Sequence, residues 1–419
     1  MKIAVIGSGI SGLSAAWLLN RESTNEVTLF EAADYLGGHS NTVDVQLEGL
    51  SHPVDTGFLV HNPNTYPNLI ALFKYLNVEV VETDMSFSVK IGDQKIEWAG
   101  ENLKTVFAQK KNILRIGFWR MILDILRFNK EAEKNLVISR EKKLSLGELI
   151  KIGKYSNEFR DWYLIPMGAA IWSTSTEEMQ IFPAENFLQF CINHSLLQVE
   201  GRPLWRTVKN GSREYVKKMA LDLPRIFLKE AVTEVKRIGD EVLVITQKRE
   251  EKFGKVIFAT HSDQTLRILK DVSNVERNVL EKIRYQANKA YLHTDETLLP
   301  ESKKTWSAWN YIAVTDKLNK RSVAVSYLIN KLQPLPFKSQ IIVTLNPTHQ
   351  PNPDKVIQVF DYEHPVFDGP AIEAQSSLAS IQGKDNIYFA GAWAKYGFHE
   401  DGLNSGIEVA KLLGAKVPW

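Results

Sequence analysis

The sequence predicts an α/β protein in which a Rossmann-like dinucleotide-binding domain, discontinuous along the chain, is interleaved with a mixed α+β second domain. Three observations predict it. A short run at residues 2–6, apolar throughout after Lys2, opens directly into Gly7-Ser8-Gly9-Ile10-Ser11-Gly12. A second apolar run at 27–30 ends on an acidic residue, Glu31. Near the other end of the chain, Ile387-Tyr388-Phe389-Ala390 meets a further glycine turn and then a helix-forming stretch. Strands covered on both faces of a parallel sheet read as continuous apolar runs, whereas half-exposed strands alternate.

Each position of the first motif has a physical reading. Gly7 permits a tight turn, Gly9 lets the backbone approach a pyrophosphate, and Gly12 lets a helix over 13–19 pack closely on the strand. The N-terminus of that helix, with Ile10 and Ser11 of the loop before it, aims unpaired N–H groups and partial positive charge at phosphates. A lone GxGxxG is weak evidence, so the context decides. Here Glu31 follows Gly12 by nineteen residues, where a carboxylate accepts hydrogen bonds from a ribose diol, with Ala32 beside it.

A chain of 419 residues buries a large core and suggests two or three domains. Its 44% hydrophobic and 24% charged content is that of a globular protein. The net charge of +2 gives no reason to expect nucleic acid as a partner. Cys191 is the only cysteine, which excludes an internal disulfide and any cysteine metal cluster. No run of about eighteen apolar residues suggests a membrane span, and the first residues belong to the glycine motif rather than to a signal peptide. The expectation is a cytoplasmic protein with peripheral membrane contact still allowed.

After Glu31 comes a second glycine pair, Gly37-Gly38, followed by His39. Together with the first loop this pattern resembles the FAD-dependent amine oxidase and phytoene desaturase superfamily, whose members carry an acidic residue, a spacer and Gly-Gly-Arg here. The resemblance implies non-covalent FAD. His39 replaces the arginine, so it either hydrogen-bonds to the cofactor phosphates or caps the turn. Pro53-Val54-Asp55-Thr56-Gly57-Phe58 follows a predicted hairpin. In the superfamily this loop lies near the flavin, which makes Asp55, Thr56 and Gly57 candidates to line the site, while Asp-Thr-Gly is equally an ordinary turn. An amphipathic helix is expected over 64–76.

Residues 103–130 are rich in apolar and aromatic side chains and carry Lys104, Lys110, Lys111, Arg115, Arg120, Arg127 and Lys130. A basic, aromatic amphipathic helix can lie in an anionic membrane surface. The alternative is a pair of lobe helices with buried apolar and solvated basic faces. Ser145-Leu146-Gly147-Glu148 has capping-box spacing, and helices over 157–172 and 184–197 extend a helical lobe. Met167-Gly168-Ala169-Ala170-Ile171-Trp172 shapes either an apolar pocket or a close helix contact. From Trp205 the chain returns to the first domain, with a helix after Gly211-Ser212 and strands at 242–246 and 255–260. By family resemblance Val232 meets the adenine. Strands at 323–328, 340–345 and 356–362 complete the second domain. The predicted division is 1–85, 205–265 and 380–419 for the FAD domain, and 86–204 and 266–379 for the substrate domain.

The stretch 386–406 resembles the closing FAD motif of the superfamily, a Phe-Ala-Gly strand end followed by a glycine-rich helix start. The resemblance makes Gly391, Ala392, Asp401, Gly402 and Leu403 cofactor-binding candidates, with the helix beginning near Asp401. Its N-terminus would favour the negative charge of reduced flavin. Phe398 falls where monoamine oxidases place a tyrosine of the aromatic cage, and Ala392 where many members have glutamate. Both changes suit an apolar substrate better than an amine. Trp393, Tyr396 and Phe398 are expected to wall the substrate pocket, with His399 as a proton donor or acceptor at the flavin. Glu400 and Asp401 read as first-turn acids. Three consecutive residues do not converge on a metal, so none is expected.

Across nearly its whole length the chain is similar to bacterial amine-oxidase-like FAD proteins and to the oxidase-like N-terminal domain of plant cyclopropane fatty acid synthases. The motifs are 54–58, Ile171-Trp172-Ser173-Thr174, Gly211-Ser212-Arg213-Glu214-Tyr215 and 397–402. The resemblance implies an amine-oxidase-like fold and an FAD-dependent oxidoreductase acting on an apolar, fatty-acyl or lipid substrate. Two alternatives stand beside it: an amine oxidase, and a flavin-bearing partner of a lipid-modifying methyltransferase.

Overall fold

The computed structural model describes every residue except 23, 173, 199, 200, 202 and 316–320. Ser173 of the 171–174 motif therefore lies outside the described residues. A parallel sheet of five strands takes the order Ile387–Phe389, Lys255–Phe258, Lys2–Ile6, Glu26–Phe30, Arg225–Phe227. Its central strand is buried on both faces, with Ile3, Ala4 and Val5 wholly inaccessible, which is why the sequence there does not alternate. The first helix, Ile10–Asn20, starts at the glycine turn itself, three residues before the expected boundary.

Against this helix lies the last one, His399–Leu412. The two cross with backbones in near contact. A Cβ on Gly406 would stand 2.1 Å from Ser14 Oγ and 2.3 Å from the Ser11 carbonyl oxygen, and one on Gly402 would stand 2.7 Å from Ile10 Cγ2. Both ends of the chain are thus fixed to one another beside the first glycine loop.

A seven-stranded mixed sheet forms the second layer, in the order Val356–Pro365, Tyr285–His293, Ile342–Leu345, Arg321–Leu328, Trp309–Thr315, Phe87–Ile91, Ile96–Ala99. Only Trp309–Thr315 and Phe87–Ile91 pair in parallel. The strands Tyr285–His293 and Trp309–Thr315 were not foreseen, because polar residues interrupt their apolar pattern. Asn310 is nevertheless fully buried, where it accepts from Ser88 Oγ at 2.7 Å and donates to the Ser307 and Ser326 carbonyls. Partners inside the sheet satisfy what looks from sequence like a surface residue.

The helical lobe departs from expectation where a physical cause intervenes. A single helix over 157–172 is broken by a π turn at Arg160–Leu164. Pro166 has no N–H to give to the Trp162 carbonyl one turn back, so that oxygen instead accepts from Trp98 Nε1 at 3.2 Å. The widened turn aims Tyr163 into the central cavity. Residues 103–130 form a short helix, Leu103–Val106, a 3-10 turn, Lys110–Leu114, and a helix, Ile116–Lys130. The helix expected over 184–197 ends at Asn193. Among the described residues no helix is long and apolar enough to cross a membrane.

Two acidic residues act as clamps between segments. Asp55, at the end of the hairpin Thr42–Leu47 and Leu50–Asp55, is buried and accepts from Thr42 Oγ1, Ser212 N, Ser212 Oγ and Gln333 Nε2. It does not line the cavity, and it ties the hairpin to the distant segments carrying Ser212 and Gln333. Glu400 is also buried, and instead of serving its own helix dipole it accepts from Asn68 N and Leu69 N at 2.9 Å, the first turn of helix Pro67–Tyr75. Replacing Asp55 with alanine strands several buried donors at once. A loss of about 3 kcal/mol or more is expected, measurable as a lower midpoint in urea unfolding. Asp55→Asn, which keeps one acceptor, should lose less.

Candidate active site

The two layers enclose one large cavity of about 1060 Å³. This is just above the range of about 300–1,000 Å³ usual for a single small-molecule site. One half is lined by the glycine loops and the ends of the parallel strands, the other by aromatic residues of the lobe.

In the first half, Gly7, Gly9, Ile10, Ser11, Glu31, Ala32, Gly37, Gly38, His39, Thr56, Gly57, Val232, Gly391 and Ala392 all line the wall. A Cβ on Gly9 would meet nothing within 4 Å. The first helix has no side-chain cap at its N-terminus, so its leading amides face this space. Glu31 accepts from Ser8 N at 2.8 Å, Ser8 Oγ at 2.6 Å and Ala33 N at 2.8 Å. Those bonds fix its carboxylate at the end of its strand. The second glycine pair packs on the first loop, with the Gly37 N–H donating to the Ser8 carbonyl at 3.1 Å.

His39 stacks on Tyr362, with ring centroids 5.0 Å apart. Its Nε2 is buried without a hydrogen-bond partner. Desolvation, then the neighbouring His364, pushes its pKa down to about 3. It is therefore a neutral hydrogen-bonding group where a guanidinium would bring charge. Open space at Gly9, uncapped amides, a fixed carboxylate and an orphaned imidazole nitrogen fit a dinucleotide cofactor.

Four of the expected cofactor residues do not line the cavity. Gly12 instead keeps the packing role its place in the motif predicts, seating the helix on the turn, where a Cβ would stand 1.9 Å from the Gly7 carbonyl oxygen. Gly402 and Leu403 are consumed by the helix crossing, and Leu403 is fully buried. The last helix begins at His399 rather than near Asp401. Asp401 consequently turns back and accepts from Phe398 N at 3.1 Å, and desolvation pushes its carboxyl up to about 6. The helix start facing the cavity is Phe398-His399.

In the second half, Phe398 stacks on Phe190 with centroids 4.5 Å apart, and Trp172 and His194 complete the wall. Tyr396 stands at its margin, 6.3 Å from Phe190. Trp393 does not belong to this wall. Its indole donates to the Thr260 carbonyl at 3.2 Å and packs in the core of the parallel sheet with Phe258 and Phe389, in the space left by Gly391. It reaches the cavity from the nucleotide side.

His399 sits between the halves, its ring 3.9 Å from and nearly parallel to that of Phe58. Its Nε2 is 2.8 Å from Tyr215 Oη, which is 2.5 Å from Ser40 Oγ. Desolvation, with His61 nearby, pushes its pKa down to about 3. A base so weakened is poorly placed to accept a proton at neutral pH, so its part is that of a fixed neutral hydrogen-bonding group. Cys191 is buried in the lobe core, its thiol pushed up by burial, and takes no part in the cavity wall.

Sequence reading missed Phe58 as a stacking partner, and also Ser40, Tyr362, His364, Phe190 and His194. Tyr215 stood in a quoted motif without a role. None carries a local signal, because distant segments bring them together.

A dinucleotide cradle opening into an enclosed aromatic chamber is the arrangement of a flavin-dependent oxidoreductase. Comparison with known proteins makes this specific. The family model of flavin containing amine oxidoreductases matches residues 10–413, so the chain belongs to that family and its cofactor is FAD. Among solved structures it is similar to a CLA-producing fatty acid isomerase from P. acnes (TM-score 0.69, 14% identity, 99% of this chain and 98% of that one). It is equally similar to cyclohexylamine oxidase from Brevibacterium oxydans (TM-score 0.68, 14% identity, 98% of both chains). A redesigned putrescine oxidase matches with TM-score 0.68 and 16% identity over 98% of both chains. At these identities the likeness is one of fold. A tryptophan 2-monooxygenase of Pantoea agglomerans pv. gypsophilae is 35% identical over 99 residues, which is 20% of this chain and 15% of that protein.

Two expectations follow. Gly9→Ala places a methyl in the open cradle without touching protein, and should give a folded but colourless protein, whereas Gly12→Ala collides with backbone and should not fold. Absorbance of bound FAD together with circular dichroism separates the two. The second concerns pH. Desolvation holds His39 and His399 down to about 3, and His61, His194, His293 and His364 to about 4. Folded values below the unfolded value of about 6.5 mean stability that is present above that pH and lost as pH falls. Asp55 and Asp401, pushed up to about 6 by desolvation, act oppositely, losing stability as pH rises from about 4 to 6. Six groups outweigh two. Calorimetry from neutral pH to about pH 4.5 should show a falling Tm, with net proton uptake on unfolding.

Proposed function

We propose that this FAD-dependent oxidoreductase acts on an apolar acyl chain, by desaturation, oxidation or double-bond isomerisation. The observation that carries the reading is the chamber wall, in which Phe398 stacks on Phe190 where a cage tyrosine would present a hydroxyl. His194 beside it is held neutral, its pKa pushed down to about 4 by desolvation. Such a wall holds a hydrocarbon by area and offers an amine nitrogen no charged partner. The likeness to a fatty acid isomerase agrees with this reading.

When bound, FAD supplies a two-electron acceptor for a hydride lost from carbon. The chain's own residues do the rest. Phe398, Phe190 and Trp172 orient the substrate and exclude water, while His399, held by Tyr215 and Phe58, presents a fixed neutral ring at the junction of the two halves. Amine oxidation is the second reading, favoured by the family and by Glu101, an exposed carboxylate on the cavity wall that suits a cationic substrate end.

The deciding experiment is an anaerobic visible spectrum of the FAD-loaded protein, with esterified acyl lipids, free fatty acids and amines added in turn, followed by product analysis. Bleaching by an acyl compound supports the proposal, as does a migrated double bond without bleaching. Bleaching by amines alone overturns it. If neither class is changed, the acyl reading also fails, and the outcome matches a non-catalytic partner of a lipid-modifying enzyme. Phe398→Tyr puts a hydroxyl against Phe190, at a cost of about 1–3 kcal/mol if unpaired. KM for the acyl substrate should then rise about tenfold or more, in steady-state assays.

A further inference from the structure

Residues 103–130 bury one apolar stripe and leave another in the open. On the helix Ile116–Lys130 the inward side chains are Phe118, Met121 and Phe128. Ile116, Trp119, Leu123 and Leu126 recur at helical spacing on the opposite side and are exposed, Ile116 by 73% and Leu123 by 64%. Just before the helix, Leu114 is 87% exposed and Leu103 76%. A soluble helix turns one stripe inward and presents polar residues on the other, and contiguous exposed apolar surface of this kind marks an interaction site.

The charge around this surface says what covers it. The segment holds seven basic residues, Lys104, Lys110, Lys111, Arg115, Arg120, Arg127 and Lys130, against one acidic residue, Asp124. Asp124 is already taken by Arg127 at 2.8 Å and by Ser156 N. Arg120 stands 3.9 Å from Glu158. Lys104, Lys110, Lys111 and Lys130 are exposed and pair with no carboxylate among the described residues. The indole of Trp119 is pinned by a 2.8 Å bond to the Ile113 carbonyl, an amphipathic ring fixed at the border between apolar and basic surface. Exposed leucine and isoleucine, a bordering tryptophan and unpaired lysines are complementary to acyl chains beneath anionic headgroups.

We propose that this face, from Leu103 to Lys130, docks on an anionic phospholipid bilayer. Gly100 and Glu101, directly before it in the chain, line the central cavity, and Glu101 is exposed. Docking therefore sets one end of the cavity against the lipid, where an acyl chain can enter without crossing water. The docking itself does not depend on the acyl-substrate reading; only the delivery of substrate does.

The test is flotation of the FAD-loaded full chain with vesicles of equal parts phosphatidylglycerol and phosphatidylcholine, against pure phosphatidylcholine. The protein should float with the anionic vesicles, less so at high salt. Lys110→Glu with Lys111→Glu should weaken binding by about fivefold or more per residue. Leu114→Asp with Leu123→Asp should weaken it at least about tenfold. Leu221→Asp, an equally exposed leucine elsewhere at 84%, should change nothing. Retained FAD absorbance and melting temperature check that the variants fold. Wild-type protein that stays off anionic vesicles, or binding indifferent to the Leu114 and Leu123 changes, overturns the proposal. So does a concentration-dependent dimer abolished by those same changes, which would assign the face to a second copy. Flotation reads no turnover: a protein that floats but leaves acyl compounds untouched keeps the docking and loses the substrate reading, and one that turns them over but does not float does the reverse.

Discussion

The structure depends on backbone-to-backbone contact around the first glycine loop. Gly12 lets the first helix sit on the turn at Gly7, and Gly402 and Gly406 let the last helix sit on the first. Side chains at these points would push the helices apart by more than the packing tolerates. Because of that contact, two segments nearly four hundred residues apart share one wall. The first glycine turn and the start of the last helix, Phe398-His399, both face the same cavity. The two halves of the cavity are therefore held together by packing rather than by any single bond.

Desolvation is the second constraint. Five histidines, His39, His194, His261, His364 and His399, stand on the cavity wall, and burial lowers the pKa of each, so that His39, His194, His364 and His399 are held neutral. Neutral imidazoles offer a donor and an acceptor without a charge to solvate. They can orient a bound group without placing a charge in the chamber. The chain from His399 through Tyr215 to Ser40 anchors the central ring from behind, and Phe58 holds its face. A charged residue at the same depth would need a partner that the aromatic wall does not supply.

Several acidic residues near the site serve the scaffold instead. Asp55 ties the hairpin to Ser212 and Gln333, Glu400 caps a neighbouring helix, and Asp401 caps its own. The same segment that carries His399 thus also fixes helix Pro67–Tyr75. Division of labour within consecutive residues follows from helical geometry, which points each side chain in a different direction.

Local chemistry alone determined much of this protein. Runs of apolar residues ending in glycine turns give buried parallel strands, and the spacing from Gly12 to Glu31 puts a carboxylate on the cavity wall, because both depend on backbone geometry over a few residues. The family resemblance extended that reading to FAD. Tertiary structure decided what lies more than one turn away. The π turn at Arg160–Leu164 needed both Pro166 and the distant indole of Trp98. Trp393 left the substrate wall because Thr260 and Gly391 received it. Gly402 and Leu403 went to a helix crossing, and Asp55 to a clamp. The strands carrying Asn288 and Asn310 were invisible until their partners appeared. A side chain's direction and the satisfaction of its polar atoms are set by whatever the fold brings opposite, and no window of sequence contains that neighbour.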